Sequence, residues 1–596
     1  MTSRALAAAS LVAALAGCGA KNTAGAPDMG VRQPVTQWAF TEIGLGSPWA
    51  MGPTDLALGK PYDHGSGLAV GDIDGDGHED IVLLNQCGPT GYFLGHGDGT
   101  FTDASARLAM LNDGIRWAVT YGDYDNDGRI DLYVTFVRRP NALLHQNEDG
   151  SFTDVAAEKG VAADGHYTGA AFVDVNGDGY LDLMVAAGLQ HTTDRLLPAD
   201  PTTQCPPMYE SMPINNPSSA LSEPSSLFLN GGAGANFAFT DQAAARGVPM
   251  GGSGADARGF SDVTVVDFDK DGAPDLVLSE MYFGRSSLLQ NDGTGNFNEV
   301  NARYLPRPSL GSACVTAADY DNNGWPDFFM TDMHSDMWQT TSQIDPASFD
   351  PAVRYKGPGG PRDGAGDNSS GPLFGNSLWL EHGPQAVEEA DLTWQAETFQ
   401  PWGNTPADYN NDGLVDVFIP SGMSNPVNYW SNMFLVNRGT KFDQMQAQVG
   451  FDPPPGGRED PTMRVLGQPY VYAARAAATG DFDENGTMDL VVLNWNHRAY
   501  VFRNDMPPGS HWLEVNLVGT APRDPYGAFV EVKAGGQTYL RWMRSSSGYL
   551  SQSTRWVHFG LGATDTIDAV TVKWPDGTST AVPVPAVDTR ITVTHP

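Results

Sequence analysis

The sequence predicts an all-β protein: a seven-bladed β-propeller over residues 36–504, followed by a small β-sandwich-like domain over residues 505–596. Three observations carry that expectation. A nine-residue acidic pattern recurs seven times; a run of small or β-branched residues precedes each copy and an apolar run follows it; and seven further short strands, most of them opening on Phe, are offset from the acidic copies by one.

The first acidic copy reads Asp72-Ile73-Asp74-Gly75-Asp76-Gly77-His78-Glu79-Asp80. Side-chain oxygens at positions 1, 3, 5 and 9, with a backbone carbonyl at position 7, suit one hard cation, and Gly at position 6 permits a sharp turn. No Cys or His recurs at a ligand position, which favours Ca²⁺ over a transition metal. The expected ligand sets are Asp72, Asp74, Asp76, His78 and Asp80; Asp123, Asp125, Asp127, Arg129 and Asp131; Asp174, Asn176, Asp178, Tyr180 and Asp182; Asp267, Asp269, Asp271, Ala273 and Asp275; Asp319, Asp321, Asn323, Trp325 and Asp327; Asp408, Asn410, Asp412, Leu414 and Asp416; and Asp481, Asp483, Asn485, Thr487 and Asp489. At position 7 the ligand is the main-chain carbonyl, so the His78 side chain reads as incidental. One such copy reads equally well as a metal-free Asp/Asn/Gly turn. Seven with one ligand pattern point to about seven structural Ca²⁺ ions.

Ahead of the loops, runs such as Gly67-Leu68-Ala69-Val70 and Ala477-Ala478-Thr479 suit a crowded axis. Behind them, runs such as Ile81-Val82-Leu83-Leu84 and Leu490-Val491-Val492 are apolar on both faces, which requires cover on both faces. Sheets sandwiched between neighbours and repeated radially are propeller blades. Fourth strands begin near Phe40, Phe101, Phe152, Phe239, Phe297, Val387 and Phe442. The first of these precedes every loop, so the N-terminal strand is expected to complete the last blade and remove its open edge. The long insertions, about 188–225, 332–374, 421–430 and 452–473, fall at the end opposite the acidic loops, where binding usually resides on a rigid scaffold.

The loops and their flanking strands resemble FG-GAP (VCBS) repeats of the kind found in integrin alpha-chain propellers. The C-terminal stretches Tyr526-Gly527-Ala528, Ser547-Gly548-Tyr549-Leu550-Ser551-Gln552, His558-Phe559-Gly560-Leu561-Gly562 and Trp574-Pro575-Asp576-Gly577 resemble the ASPIC/UnbV module, which commonly follows such repeats, as in bacterial secreted proteins and the cartilage acidic protein family. Pro525 in Arg523-Asp524-Pro525-Tyr526 departs from the simpler loop that the resemblance implies.

A formal net charge of −37 argues against nucleic acid or an anionic membrane surface as partner. Much of it is local to the acidic loops. Four Cys exclude a disulfide scaffold. Cys314 lies in an apolar run and reads as a buried thiol, whereas Cys87 and Cys205 fall in predicted loops and could pair in an oxidising compartment. Residues 1–17, with Arg4 and an apolar core from Ala5 to Ala16, read as a secretory signal too short to span a membrane as a mature helix. Leu15-Ala16-Gly17-Cys18 resembles a bacterial lipobox, with Cys18 as the lipidated residue and 18–35 as a flexible tether. No Asp follows Cys18, which in a Gram-negative cell favours the outer membrane.

No HExxH, GxSxG, GxxxxGK[ST] or CxxC motif occurs. The expected function is a calcium-rigidified surface propeller that binds a protein or glycan through its loop-rich end. The alternative is an enzyme, hydrolytic or oxidative, with His334, Asp336, Trp402 and His497 at that same end; a third reading is a scaffold pairing through the C-terminal module.

Overall fold

The computed structural model describes every residue except 1–37, 48–64, 200–204, 212–220, 254–256, 282–284, 306–308, 310, 333–374, 382–385, 389–397, 399–400, 425–426, 429–431, 452–458, 466–467, 472, 496–497 and 521–523. Its strands form seven four-stranded antiparallel sheets, the second and third joined through a short pairing of Asp164 with Pro140 and His166 with Val137. The first strands are Leu68–Gly71, Arg116–Gly122, Asp164–Val173, Phe260–Val266, Ser312–Ala318, Thr405–Ala407 and Ala473–Gly480. Each packs beside the next, and the seventh returns to the first. That closed cycle is a seven-bladed propeller.

The predicted closure is present. Ala39–Ile43 pairs antiparallel with Tyr500–Asp505, from Ala39 opposite Asp505 to Ile43 opposite Val501. Phe40 anchors it against the rings of Tyr409, Phe434 and Phe451, and the Phe40 N–H donates to the Val449 carbonyl at 2.8 Å. Between blades the apolar runs interleave as their two-faced pattern requires. Ile81, Leu83 and Phe93 of the first sheet pack with Val491, Leu493 and Val501 of the seventh, while Val82 and Tyr92 pack with Val119, Leu132 and Val134 of the second.

The C-terminal module has two sheets. One holds Val557–Gly562, His511–Val518 and Thr589–Thr594, the last pair parallel; the other holds Gln537–Trp542, Phe529–Ala534, Ile567–Lys573 and Ser579–Val582. Leu513, Val515 and Phe559 from the first share a core with Val530, Val532, Val570 and Val572 from the second.

Between these sheets, residues 545–553 leave the module and run down the propeller axis. Gln552 bridges Ala69 in parallel, accepting from Val70 N–H at 2.9 Å and donating its own N–H to Leu68 O at 3.1 Å. Its side-chain oxygen accepts from Thr120 Oγ1 and Tyr121 N–H, both at 2.8 Å. Ser546 Oγ accepts from Val265 N–H, Ser553 Oγ from Thr479 N–H, and Asp262 Oδ2 from Leu550 N–H. Gly67 and Gly403 have no room for a side chain because Leu550 and Tyr549 fill the space beside them. The inner strands of a ring turn unpaired backbone groups toward the axis, and buried groups of that kind need partners. Small, hydroxyl-bearing and amide residues supply those partners without demanding volume, which explains Ser545-Ser546-Ser547-Gly548 and Ser551-Gln552-Ser553.

Candidate metal centres

Each acidic loop joins the first and second strands of its sheet, and all seven repeat one hydrogen-bonded frame. The position-1 Asp accepts from the N–H of the position-6 Gly at 2.7–3.1 Å. The position-5 side chain accepts from the position-7 N–H at 2.8–3.0 Å. The position-9 Asp, fully buried in every copy, takes the position-2 N–H at 2.8–3.3 Å on one oxygen and a third-strand N–H at 2.7–3.0 Å on the other. Position 9 is thus first a staple between the loop and the sheet.

This frame turns the remaining oxygens toward one another. Oxygens of Asp72, Asp74 and Asp76 lie within 4.8 Å of each other, as do those of Asp123, Asp125 and Asp131, of Asp267, Asp269 and Asp271, and of Asp319, Asp321 and Asp327. The Oδ1 atoms of Asp72, Asp74, Asp125 and Asp319 are buried without a hydrogen bond. Burial, reinforced by the neighbouring carboxylates, pushes Asp80 up to about 8 and Asp275 up to about 9. Burial likewise raises Asp123 and Asp267 to about 7, with neighbouring Asp charges adding to it. Buried carboxylates whose oxygens converge and lack donors fit a hard divalent cation, whose charge would reverse those shifts.

Four features escaped the sequence reading. The first corrects it: His78 Nδ1 lies 2.7 Å from Glu484 Oε1, so that side chain ties the first loop to the seventh instead of standing idle. The second is His145, from the third strand of the second sheet, 3.2 Å from Asp131 and 3.4 Å from Asp125. The third is an amide clamp. Gln146, Asn230, Asn291, Asn437 and Asn504 each donate to a position-2 carbonyl of the preceding loop and to a position-8 carbonyl of their own. The signal for it was a recurring Asn or Gln at the end of third strands. The fourth lies at position 4, which has positive φ in every loop. From there Lys270 Nζ donates to Gly324 O at 2.8 Å, Asn322 to Gly413 O at 2.9 Å and Asn411 to Gly486 O at 2.8 Å, linking loops four to seven in sequence.

The module covers the last three loops. Arg541 donates to Asn322 Oδ1 at 3.1 Å and to Gly413 O at 3.0 Å, and His558 Nε2 lies 2.8 Å from Asn411 Oδ1. Trp512 packs over Gly486 so closely that a side chain there has no space. Arg590 reaches Glu514 at 2.6 Å, Asp481 at 3.2 Å and Glu484 at 3.1 Å. Burial alone would push Glu514 up, but the hydrogen bond with His558 and the Arg590 charge hold it below the usual range. Glu79, whose Oε2 accepts from Asp481 N–H at 2.6 Å, is pushed by burial up to about 7.

At the opposite end, Cys87 and Cys205 form a disulfide that ties the insertion after the third sheet's second strand to the first sheet. Tyr549 and Leu550, at the tip of the axial segment, pack there with Trp117, Trp402, Met281 and the buried free thiol of Cys314. Trp402 is a packing residue: its Nε1 donates to Gly422 O at 2.8 Å and Arg475 lies over its ring at 4.3 Å. His334, Asp336, His497 and Cys18 lie outside the described residues. Among the described residues no helix is long and apolar enough to cross a membrane.

Fold and loops together define an FG-GAP-type propeller carrying an ASPIC/UnbV domain. Residues 72–134, 123–185 and 267–330 match the FG-GAP-like repeat, and residues 519–596 match the ASPIC and UnbV family. The chain is similar to cartilage acidic protein 1 of Xenopus tropicalis, Mus musculus and Homo sapiens, in each case 30% identical over 185 residues, 29% of this chain. That stretch spans about a quarter of the length of those relatives. Among solved structures, the V. cholerae biofilm matrix protein Bap1 aligns at 12% identity over 79% of this chain and 92% of that one, with a TM-score of 0.33. The Bacillus licheniformis rhamnogalacturonan lyase PL11 aligns at 11% over 79% and 75%, with a TM-score of 0.34. Likenesses this weak do not bear on function.

Proposed function

We propose that the protein is an exported, calcium-rigidified binding protein that engages a protein or glycan through the end opposite its acidic loops. The observation that supports this best is the sevenfold frame, which in the loops at 72–80, 123–131 and 319–327 leaves buried carboxylate oxygens without a donor, at the end opposite the Cys87–Cys205 disulfide. Calcium is the cation because the donors are oxygens alone in six of the seven loops, and extracellular modules hold it at about 10⁻⁴–10⁻³ M. The disulfide is in keeping with an oxidising compartment, and Cys18 is the residue through which the chain would be anchored to a lipid surface. Because Tyr549 and Leu550 floor the axis, the ligand would lie across the rim instead of entering a channel.

The test is a glycan-array and pull-down screen of the full chain, with calcium and with chelator. Capture that requires calcium and is lost when residues 188–225 are shortened supports the reading. Capture that survives both changes overturns it.

A further inference from the structure

The second acidic loop differs from the other six in its donors. One residue ahead of the third-strand N–H that reaches the position-9 Asp, the second sheet carries His145 where the others carry Leu94, Leu229, Gln290, Leu380, Val436 and Arg503. Only one loop of the seven thus meets an imidazole at that place.

The ring is turned into the loop. His145 Nδ1 lies 3.2 Å from Asp131 Oδ1 and 3.4 Å from Asp125 Oδ2, and Nε2 lies 3.9 Å from Asp127 Oδ2. Nδ1 is nevertheless buried without an aligned hydrogen bond, and so is Asp125 Oδ1. Asp131, fully buried, accepts one N–H on Oδ1, from Gln146 at 2.9 Å, and keeps a second lone pair there. Oxygens of Asp123, Asp125 and Asp131 lie within 4.8 Å of one another, and a second such trio joins His145 to Asp125 and Asp127. With its proton on Nε2, the imidazole faces two carboxylates as an acceptor, an arrangement that a cation between them relieves.

Position 5 is altered as well. Asp127 accepts from Arg129 N–H at 3.0 Å on one oxygen and from the Arg129 guanidinium on the other, so its charge is already answered. Asp123, Asp125, Asp131 and His145 remain. Four side-chain donors fill a tetrahedral shell, whereas calcium takes about six to eight oxygens. In a tetrahedral shell with bonds of about 2.0–2.1 Å, neighbouring donors stand about 3.3–3.4 Å apart. The separations of Nδ1 from Asp131 and Asp125, 3.2 Å and 3.4 Å, fit that shell.

We propose that the second loop is a transition-metal site of the zinc class, with Asp123, Asp125, Asp131 and His145 as its ligands, set among calcium loops. An imidazole nitrogen favours such an ion, while loops with oxygen donors alone favour calcium. This rests on the reading that the acidic loops hold cations, and changes only which cation one of them selects.

The experiment strips the full chain with chelator, dialyses it against millimolar calcium with micromolar zinc, and counts both metals by mass spectrometry. About one zinc per chain should be held against the calcium excess, with calcium in the other loops. Co²⁺ in place of zinc should give the strong visible absorption of a tetrahedral shell. His145→Leu, which installs the residue that stands there as Leu94, Leu229 and Leu380 in other sheets, should weaken zinc at least about tenfold and abolish the Co²⁺ bands while the other loops keep their calcium. His96→Leu, at an exposed histidine outside the loops, should change neither. Calcium in the second loop with no zinc retained, Co²⁺ without tetrahedral bands, or zinc that survives His145→Leu overturns the proposal and leaves the calcium reading standing. Zinc retained at His145 beside loops that take no calcium would support the proposal and sink that reading instead.

Discussion

Loops that share one nine-residue pattern differ in what surrounds them. In the loops at 319–327, 408–416 and 481–489 the position-1 carboxylates of Asp319, Asp408 and Asp481 are buried to 0%, 3% and 2% exposure, under a module that brings Arg541 to Asn322 and within 4.0 Å of Asp319, His558 to Asn411, and Arg590 to Asp481. The loops at 72–80, 123–131 and 174–182 carry the same frame with position 1 only half-buried, and their position-5 Asp76, Asp127 and Asp178 are exposed. The lesson is that one nine-residue sentence serves two electrostatic settings. On the open side the position-1 carboxylates keep contact with solvent and, among the described residues, only the second loop has cationic partners, His145 and Arg129; on the covered side the module's buried cations answer part of the charge.

The largest effect that would test this contrast is removal of the ions. At a hundredfold excess over Kd each bound ion stabilises the fold by about 2.7 kcal/mol, so chelation should lower the melting temperature by many degrees. Release followed with a calcium dye should show a fast phase from the open loops and a slow phase from the covered ones. A single fast phase would erase the distinction.

Next in size is Arg590→Ala, which strands the buried carboxylates of Glu514 and Asp481 and should cost about 3–5 kcal/mol in urea unfolding. Lys270→Ala, on an exposed loop residue, should cost under about 1 kcal/mol. Equal costs would break the comparison. Smaller again is the pair Asp416→Ala and Asp76→Ala. The first leaves the buried N–H groups of Tyr409 and Asn437 without an acceptor and should cost about 3 kcal/mol even in chelator. The second should reduce ion stoichiometry by one while moving apo stability by less than about 0.5 kcal/mol.

The subtlest test is pH. In chelator, Asp80 and Asp275 titrate near 8 and 9 in the folded chain, above their ordinary value of 3.8. Groups raised on folding contribute stability that is present below their unfolded pKa and lost as pH rises through the folded one, so apo stability should fall from about pH 4 to pH 9. With calcium present the trend should invert, because the ions require deprotonated ligands. Parallel melting curves in the two buffers would contradict the site assignment.

What the sequence disclosed follows from periodicity. Runs such as Ile81-Val82-Leu83 betray sheets covered on both faces, and the one-step offset between Phe40 and the first loop forecast the closing strand, which lies opposite Tyr500–Asp505. The loops were legible because ligand chemistry restricts residue type at fixed spacing. What stayed hidden depends on contacts without local period. Ser547 to Gln552 is legible in the sequence only through the resemblance to the ASPIC/UnbV module, and nothing near it in sequence points to Leu68, Thr120 or Asp262. The amide clamp left a trace, since Leu289-Gln290-Asn291 and Leu435-Val436-Asn437 end third strands alike, but its acceptors lie on the preceding blade, beyond local pattern.

The axial segment also orders events in time. The strand at Ala39–Ile43 leaves the ribosome before every other described strand, yet its partner at Tyr500–Asp505 and the residues that occupy the centre, up to Ser553, follow only after the other six blades. Until synthesis has passed that point, neither the seam nor the hub of the wheel exists, so the earlier blades must wait with their edges and inner amides unsatisfied. Such a chain gains from staying unfolded until the strand and the axial segment are at hand together.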